Sequence, residues 1–329
     1  MSLQFHTNHR RLFGAIFFGF IILTALIAIG PAAWVQEQNE PLPGLKDLSE
    51  RELRGLAVYV AEGCSYCHTQ QVRPLDVDRP FGRPSAPGDY AHLRPQDLWR
   101  MTPSLLGTER TGPDLSDLAS RLPSESWNYI HLFNPRAVVK GSIMQAYPWL
   151  FEIRSSTGPD DVVVAVPPAY APKDGKVVAK REAMDLVAYL LTLRQLPFPE
   201  GGAAAVHPTG VEQKEVAPGQ GGSTYATRCA GCHGQNGEGV AGVFPPLKGD
   251  PVVLDSDPED HIRVVLFGLQ GEEINGTKYS AAMPGFEDGL SDDEVAAVVN
   301  HERMSWGNTA SSTTAQEVAK VRKKGKNGG

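Results

Sequence analysis

The amino-acid sequence predicts a mainly α protein, with one N-terminal transmembrane helix followed by two helical domains built around the same short motif. Three observations carry this expectation. Residues 12–29 hold no charged side chain. The pattern C-x-x-C-H occurs twice, at residues 64–68 and 229–233, and uses all four cysteines of the chain. Each copy follows a helix-forming stretch and is followed, after a loop-rich interval, by a second stretch with apolar residues at helical spacing.

The N-terminal element comes first. Its apolar character runs from Leu12 through Val35, and twenty-four residues at 1.5 Å rise make about 36 Å of helix, enough to cross a hydrocarbon core of about 30 Å. A cleaved signal peptide is the competing reading, but its apolar region is ordinarily about 7–15 residues. The small-x-small site Ala28-Ile29-Gly30 is also followed by Pro31, a poor residue after a cleavage point. A retained single-pass anchor is therefore expected. Arg10 and Arg11 precede it and no acidic residue occurs before Glu37, which predicts a cytoplasmic N-terminus with everything after Trp34 on the far side.

The next elements surround the motifs. Ser49 and Glu52 form a capping-box signature ahead of Leu53, Leu56, Ala57 and Val60. Gly55 and Tyr59 then lead into Cys64, much as Gly221 and Tyr225 lead into Cys229. Helices over residues 182–194 and 291–304 close the two halves, the second opening with Ser291 and Glu294 as another capping box. Residues 198–222 are rich in Gly, Pro and Ala without periodicity and read as a linker. The basic C-terminus, from residue 309, reads as a disordered, solvated tail.

C-x-x-C-H is the attachment pattern of c-type haem, in which both thiols add to the porphyrin vinyl groups and the adjacent histidine reaches the iron. A zinc ribbon would need its two C-x-x-C pairs far nearer in sequence than Cys64 and Cys229, and a thioredoxin-like pair does not require the following histidine. Two covalently bound haem c groups are expected, on Cys64, Cys67 and His68 and on Cys229, Cys232 and His233. The expected fold is thus a transmembrane helix and two cytochrome c-like haem domains. Its boundaries are residues 1–36 for the anchor, 37–197 for the first domain, 198–220 for the linker, 221–308 for the second domain and 309–329 for the tail. A net charge of −7 offers no basic surface for nucleic acid.

The second axial ligand decides the chemistry, since a thioether favours electron transfer and an open position favours ligand binding. In the second half Met283, in Met-Pro-Gly-Phe ahead of the closing helix, is the expected ligand, with Met304 inside that helix as its rival. In the first half Met101, Met144 and Met184 all remain candidates, and His131 is a further rival. Arg73, Arg110 and Arg136 are candidate partners for haem propionates.

Residues 62–75, EGCSYCHTQQVRPL, resemble the membrane-anchored mono-haem subunit II of cbb3-type haem–copper oxidases. The likeness continues through Arg110-Thr111-Gly112-Pro113-Asp114-Leu115, Trp127, His131-Leu132, Asn134-Pro135-Arg136 and Ser142-Ile143-Met144, and covers about residues 10–196. It implies Met144 as distal ligand and a Pro113 carbonyl near His68. The second half resembles the small class I cytochrome c modules of the oxidase's dihaem subunit and of several dehydrogenases. It departs from them at His301-Glu302, where an aromatic–aliphatic pair is expected, and Gln145 stands where the first domain's family has proline.

The resemblance implies a non-catalytic electron-transfer subunit without an oxygen-reducing site of its own. It would lie in the bacterial inner membrane with its haem domains on the periplasmic side. Its partners would be membrane lipid, a periplasmic cytochrome c or similar donor, and the catalytic haem–copper subunit. The alternatives are a membrane-anchored dihaem peroxidase, a freestanding tethered shuttle, and the cytochrome subunit of a nitric oxide reductase or a dehydrogenase.

Overall fold

The computed structural model describes residues 7–38, 42–90, 105–107, 109–198, 220–271, 273–274, 276–279 and 281–326. Met101 and most of the expected linker lie outside the described residues. The chain divides into two compact units, residues 1–47, 85–102 and 196–206 in one, and residues 48–84, 103–195 and 207–329 in the other.

The first unit carries α1 (His9–Thr24), a π-helical turn at Ala25–Ile29 and α2 (Gly30–Gln38). Asn8 caps the start by accepting the Arg11 N–H at 3.1 Å. Residues 9–34 form a helix long and apolar enough to cross a membrane. Its apolar side chains are exposed on every side, Phe13, Phe20 and Ile27 among them, and a helix that is apolar all round requires an apolar surrounding.

The second unit is mostly helical and repeats one packing device. In the first half, α3 (Glu50–Ala61) starts at the Ser49/Glu52 capping box and ends beside the first motif. It is followed by α4 (Leu118–Arg121) and α5 (Glu125–Phe133). Strands β1 (Phe151–Arg154), β2 (Val163–Val164) and β3 (Lys176–Ala179) form an antiparallel sheet in the order β1-β3-β2, and α6 (Arg181–Leu190) closes the half. In the second half α7 (Gln220–Thr224) and a π turn at Tyr225–Cys229 lead into α8 (Ala230–His233). Then come α9 (Glu259–Phe267), α10 (Asp292–Met304) with the Ser291/Glu294 capping box, and α11 (Ala315–Lys324).

In each half the helix before the motif crosses the closing helix at a glycine. A Cβ placed on Gly55 would lie 1.9 Å from the Asp185 carbonyl oxygen of α6, and one on Gly221 would lie 2.1 Å from that of Ala297 in α10. No other residue permits backbones to approach this closely. An aromatic one turn on completes each crossing. Tyr59 meets Tyr189 edge-on at 5.5 Å, and Tyr225 lies 4.8 Å from Trp306.

Two features differ from the sequence expectation. The β-sheet was not expected, because the valine-rich runs at residues 162–166 and 177–178 are short and bounded by Pro and Gly. The second correction concerns residues 309–329, expected as a disordered tail. Thr314 and Glu317 form a third capping box there, and α11 buries Val318 and Val321 in the core of the second half. Two valines one turn apart place an apolar stripe on an otherwise charged helix, and burying it outweighs the solvation preference of the lysines on the other face.

Candidate haem sites

In the first half α3 delivers Cys64, and His68 follows a 3₁₀ turn at Cys64–Tyr66. The His68 imidazole bonds through Nδ1 to the Pro113 carbonyl oxygen at 2.8 Å. The loop carrying Pro113 is tied down by Gly112 N–H to Cys67 O at 2.9 Å and Leu115 N–H to Thr69 O at 2.8 Å. Gly112 lies against the ring itself, where a Cβ would sit 2.3 Å from His68 Cε1. Buried Asp114 accepts from Thr69 Oγ1 at 2.5 Å and from Gln71 N at 2.9 Å, stapling the chain after the motif to the same loop.

The second half repeats the arrangement. His233 Nδ1 lies 2.9 Å from the Pro245 carbonyl oxygen. A carbonyl accepts only, so Nδ1 carries the proton in both rings and Nε2 keeps its lone pair. Neither Nε2 has a hydrogen-bond partner among the described residues. Burial lowers both histidines from the ordinary imidazole range, opposed by the prolyl carbonyls, so both stay neutral as metal ligation requires.

A solvent-open cavity in the second half is lined by Cys229, Cys232, His233 and Met283, with Phe286 and Leu290 on its apolar wall. Met283 is held by paired backbone bonds to Leu269 at 2.8 and 3.1 Å. Its rival Met304 is 65% exposed on α10 and does not line the cavity. Among the described residues three buried guanidinium donors have no partner, Nε of Arg110, Nε of Arg121 and Nη1 of Arg228, and Arg121 and Arg228 line the same cavity. They are suited to carboxylates such as propionates. Arg73 and Arg110 instead engage Asp78, at 2.9 and 2.6 Å, and Arg136 is exposed.

Burial pushes the Cys64 and Cys232 thiols up to about 12, and Cys229 well above the ordinary thiol range. Among the described residues no three His, Cys, Asp or Glu side chains converge as a metal cluster. Paired cysteines, a histidine with a free Nε2, an apolar cavity and orphaned guanidinium donors fit haem c.

The structure brings the two rival distal groups of the first half together: His131 Nε2 is 3.1 Å from Met144 Sδ. A thioether only accepts, so His131 donates from Nε2, leaving Nδ1 buried without a partner among the described residues. Burial, with His68 nearby, lowers His131 to about 4. Met184 lies on the crossing helix α6. Sequence reasoning missed a buried pair on the cavity wall of the second half, His261 Nε2 to Glu302 Oε2 at 2.8 Å. Its signal was the polar His301-Glu302 step in α10. His301 takes the aromatic place there, edge-on to Trp306 at 5.5 Å, while Glu302 turns inward.

Comparison with known proteins agrees with this division. Residues 4–166 match the family described as cytochrome c oxidase, mono-heme subunit/FixO, and residues 219–301 match the family described as cytochrome c. Cytochrome c-552 of Thermus thermophilus is 42% identical over 118 residues, which are 33% of this chain and 78% of that protein. The cytochrome c subunit of the quinone alcohol dehydrogenase of Gluconobacter oxydans is 40% identical over 146 residues, 43% of this chain and 30% of that subunit. The gluconate 2-dehydrogenase cytochrome c subunit of Pantoea cypripedii is 38% identical over 105 residues, 31% of this chain and 24% of that subunit. The chain thus spans less than a third of the length of these dehydrogenase subunits. It belongs to the cytochrome c family, as a cytochrome c electron-transfer subunit in which a FixO-type mono-haem region is joined to a second, class I cytochrome c domain.

Proposed function

We propose that the chain is the dihaem electron-transfer subunit of a cbb3-type haem–copper oxidase. It is held in the bacterial inner membrane by its N-terminal helix, with both haem domains on the periplasmic side. The observation that carries this reading is the match of residues 4–166 to the mono-haem oxidase subunit, because it takes in the apolar helix and the first motif together. The flanking Arg10 and Arg11 support the orientation. The anchor is residues 1–36, the first haem domain 37–197, the linker 198–220 and the second haem domain 221–308 with α11 packed onto it.

Haem c supplies, when bound, a one-electron Fe(II)/Fe(III) couple. Cys64, Cys67, Cys229 and Cys232 are assigned the covalent attachment. His68 and His233 present Nε2 to the iron, each imidazole oriented by its prolyl carbonyl. Met144 and Met283 are assigned the distal thioethers, which hold a site closed against oxygen or peroxide and favour the carrier role over a peroxidase. Electrons pass from a periplasmic donor through the second domain and the first domain to the catalytic haem–copper subunit.

A second reading, the cytochrome subunit of a dehydrogenase, is favoured by the likeness to the dehydrogenase subunits. Purification from membranes separates the two. Mass spectrometry is expected to find two haem additions on the chain, both irons low-spin, with a copper-containing, oxygen-consuming subunit co-purifying. A dehydrogenase in place of the oxidase would establish the second reading, and fewer than two haem additions would overturn both.

A further inference from the structure

We propose that Trp127 and His131 form the path by which an electron crosses from the second haem domain to the first. The proposal rests on the dihaem reading and on Met144 as the distal ligand of the first domain. Three contacts make a continuous chain. The Trp127 indole Nε1–H donates at 2.7 Å to the carbonyl oxygen of Gly231, inside the second C-x-x-C-H motif and one residue from Cys232. The indole stacks on the His131 imidazole, with ring centres 4.5 Å apart and planes 12° from parallel. His131 Nε2–H in turn meets Met144 Sδ at 3.1 Å.

A buried tryptophan ordinarily fills a core and finds some partner for its N–H. This one finds its partner 104 positions away, on the attachment loop of the other domain. On its other side it meets the group that touches the distal sulfur. Packing alone requires neither.

The two domains are also docked at this point. Arg228, next to Cys229, lies 3.7 Å from the buried carboxylate of Asp117 in the first domain. Residues 121–124 of the first domain line the cavity that holds Cys229, Cys232 and His233. The crossing step moves one electron, with no bond made or broken and no proton transferred. With haem c bound, the second domain would be oxidised by one electron and the first reduced by one. The ultimate reductant is the periplasmic one-electron donor and the oxidant is the haem–copper partner.

The test uses the full-length holoprotein with a ruthenium photoreductant on Met304→Cys, an exposed site in the second domain. A redox titration first gives the spectrum and potential of each haem; the flash then reports the inter-haem phase. Trp127→Phe keeps the stack on His131 and removes the N–H, whereas Arg228→Glu sets two carboxylates against each other and undocks the domains. The inter-haem phase should slow in Trp127→Phe, and by about tenfold or more in Arg228→Glu. Both haems should remain low-spin in Trp127→Phe, and hydrogen exchange at residues 228–233 should rise in Arg228→Glu. His131→Phe should additionally shift the potential and the methionine–iron charge-transfer band of the first haem alone. An inter-haem rate within about twofold of the parent in Trp127→Phe, with two intact haems, would overturn the path. Fewer than two haems, or a high-spin first iron in the parent, would instead overturn the reading beneath it.

Discussion

Replacing Gly55 by alanine tests the helix crossing that brings the first motif to its site. The new Cβ would stand 1.9 Å from the Asp185 carbonyl oxygen and 2.8 Å from Tyr189 Cβ, against a limit of 3.0 Å that real Cβ contacts essentially never cross. The opposing atom is backbone in the middle of α6, so no rotamer relieves the clash and the helices must part by about 1 Å. Separation strips contacts from Leu56, Tyr59, Leu186 and Tyr189, all buried at the crossing. Alanine recovers about 1 kcal/mol of helix propensity over glycine. Overpacking costs typically ~1–3 kcal/mol, and more where the backbone itself must move. The clash wins, with a net loss of about 2 kcal/mol. For a domain of this size that corresponds to a fall of very roughly 8 °C in Tm. Gly141→Ala is the control, since a Cβ there meets nothing within 4 Å. Thermal unfolding followed by circular dichroism of the holoprotein reads both. A Gly55→Ala protein that melts with the parent would show that the crossing is not this close, and the argument for its counterpart at Gly221 would fall with it.

Three further outcomes follow from particular contacts. Asp78 is fully buried and accepts from Arg73 Nε at 2.9 Å and Arg110 Nη1 at 2.6 Å, and these guanidinium groups, Arg73 foremost, hold its carboxyl well below the usual range. Its stabilisation is therefore complete above the unfolded value of about 3.9 and is lost as pH falls below it toward the lowered folded value; Asp78→Asn should destabilise by about 2 kcal/mol near neutrality and flatten the acid limb of a urea-titrated stability profile. Val318→Ala should cost about 2 kcal/mol in the second domain, measured by the same melts, because α11 buries that side chain completely; a solvated tail would give no change. Gly112→Ala drives a Cβ into the His68 ring and should break the bond to Pro113, seen as loss of the first haem's low-spin spectrum while the second is unaffected.

Much of the site was legible because attachment chemistry is local. Two thiols and a histidine act together only at C-x-x-C-H spacing, so the motif and its residues can be read without a fold. Capping boxes at Ser49 and Ser291 are legible for the same reason, as hydrogen bonds three residues apart, and an uncharged run of this length announces its own helix. The close glycine crossings are half legible: Gly55 and Gly221 stand out at matching places, but only the packed helices reveal the carbonyl oxygens that forbid a side chain.

What the tertiary structure alone decided depends on residues far apart in the chain. Nothing near His68 or His233 in sequence names the prolyl carbonyl that orients each ring. Pro113 could be expected only by resemblance, whereas Pro245 emerged from the geometry. Lysines and arginines dominate the composition of α11 and conceal two valines whose burial depends on a groove between α9 and α10. His261 and Glu302 pair across 41 positions, and Trp127 reaches Gly231 across 104. Local sequence determines which groups can bond or cap their near neighbours; desolvation and hydrogen bonding between distant segments exist only once the chain has packed.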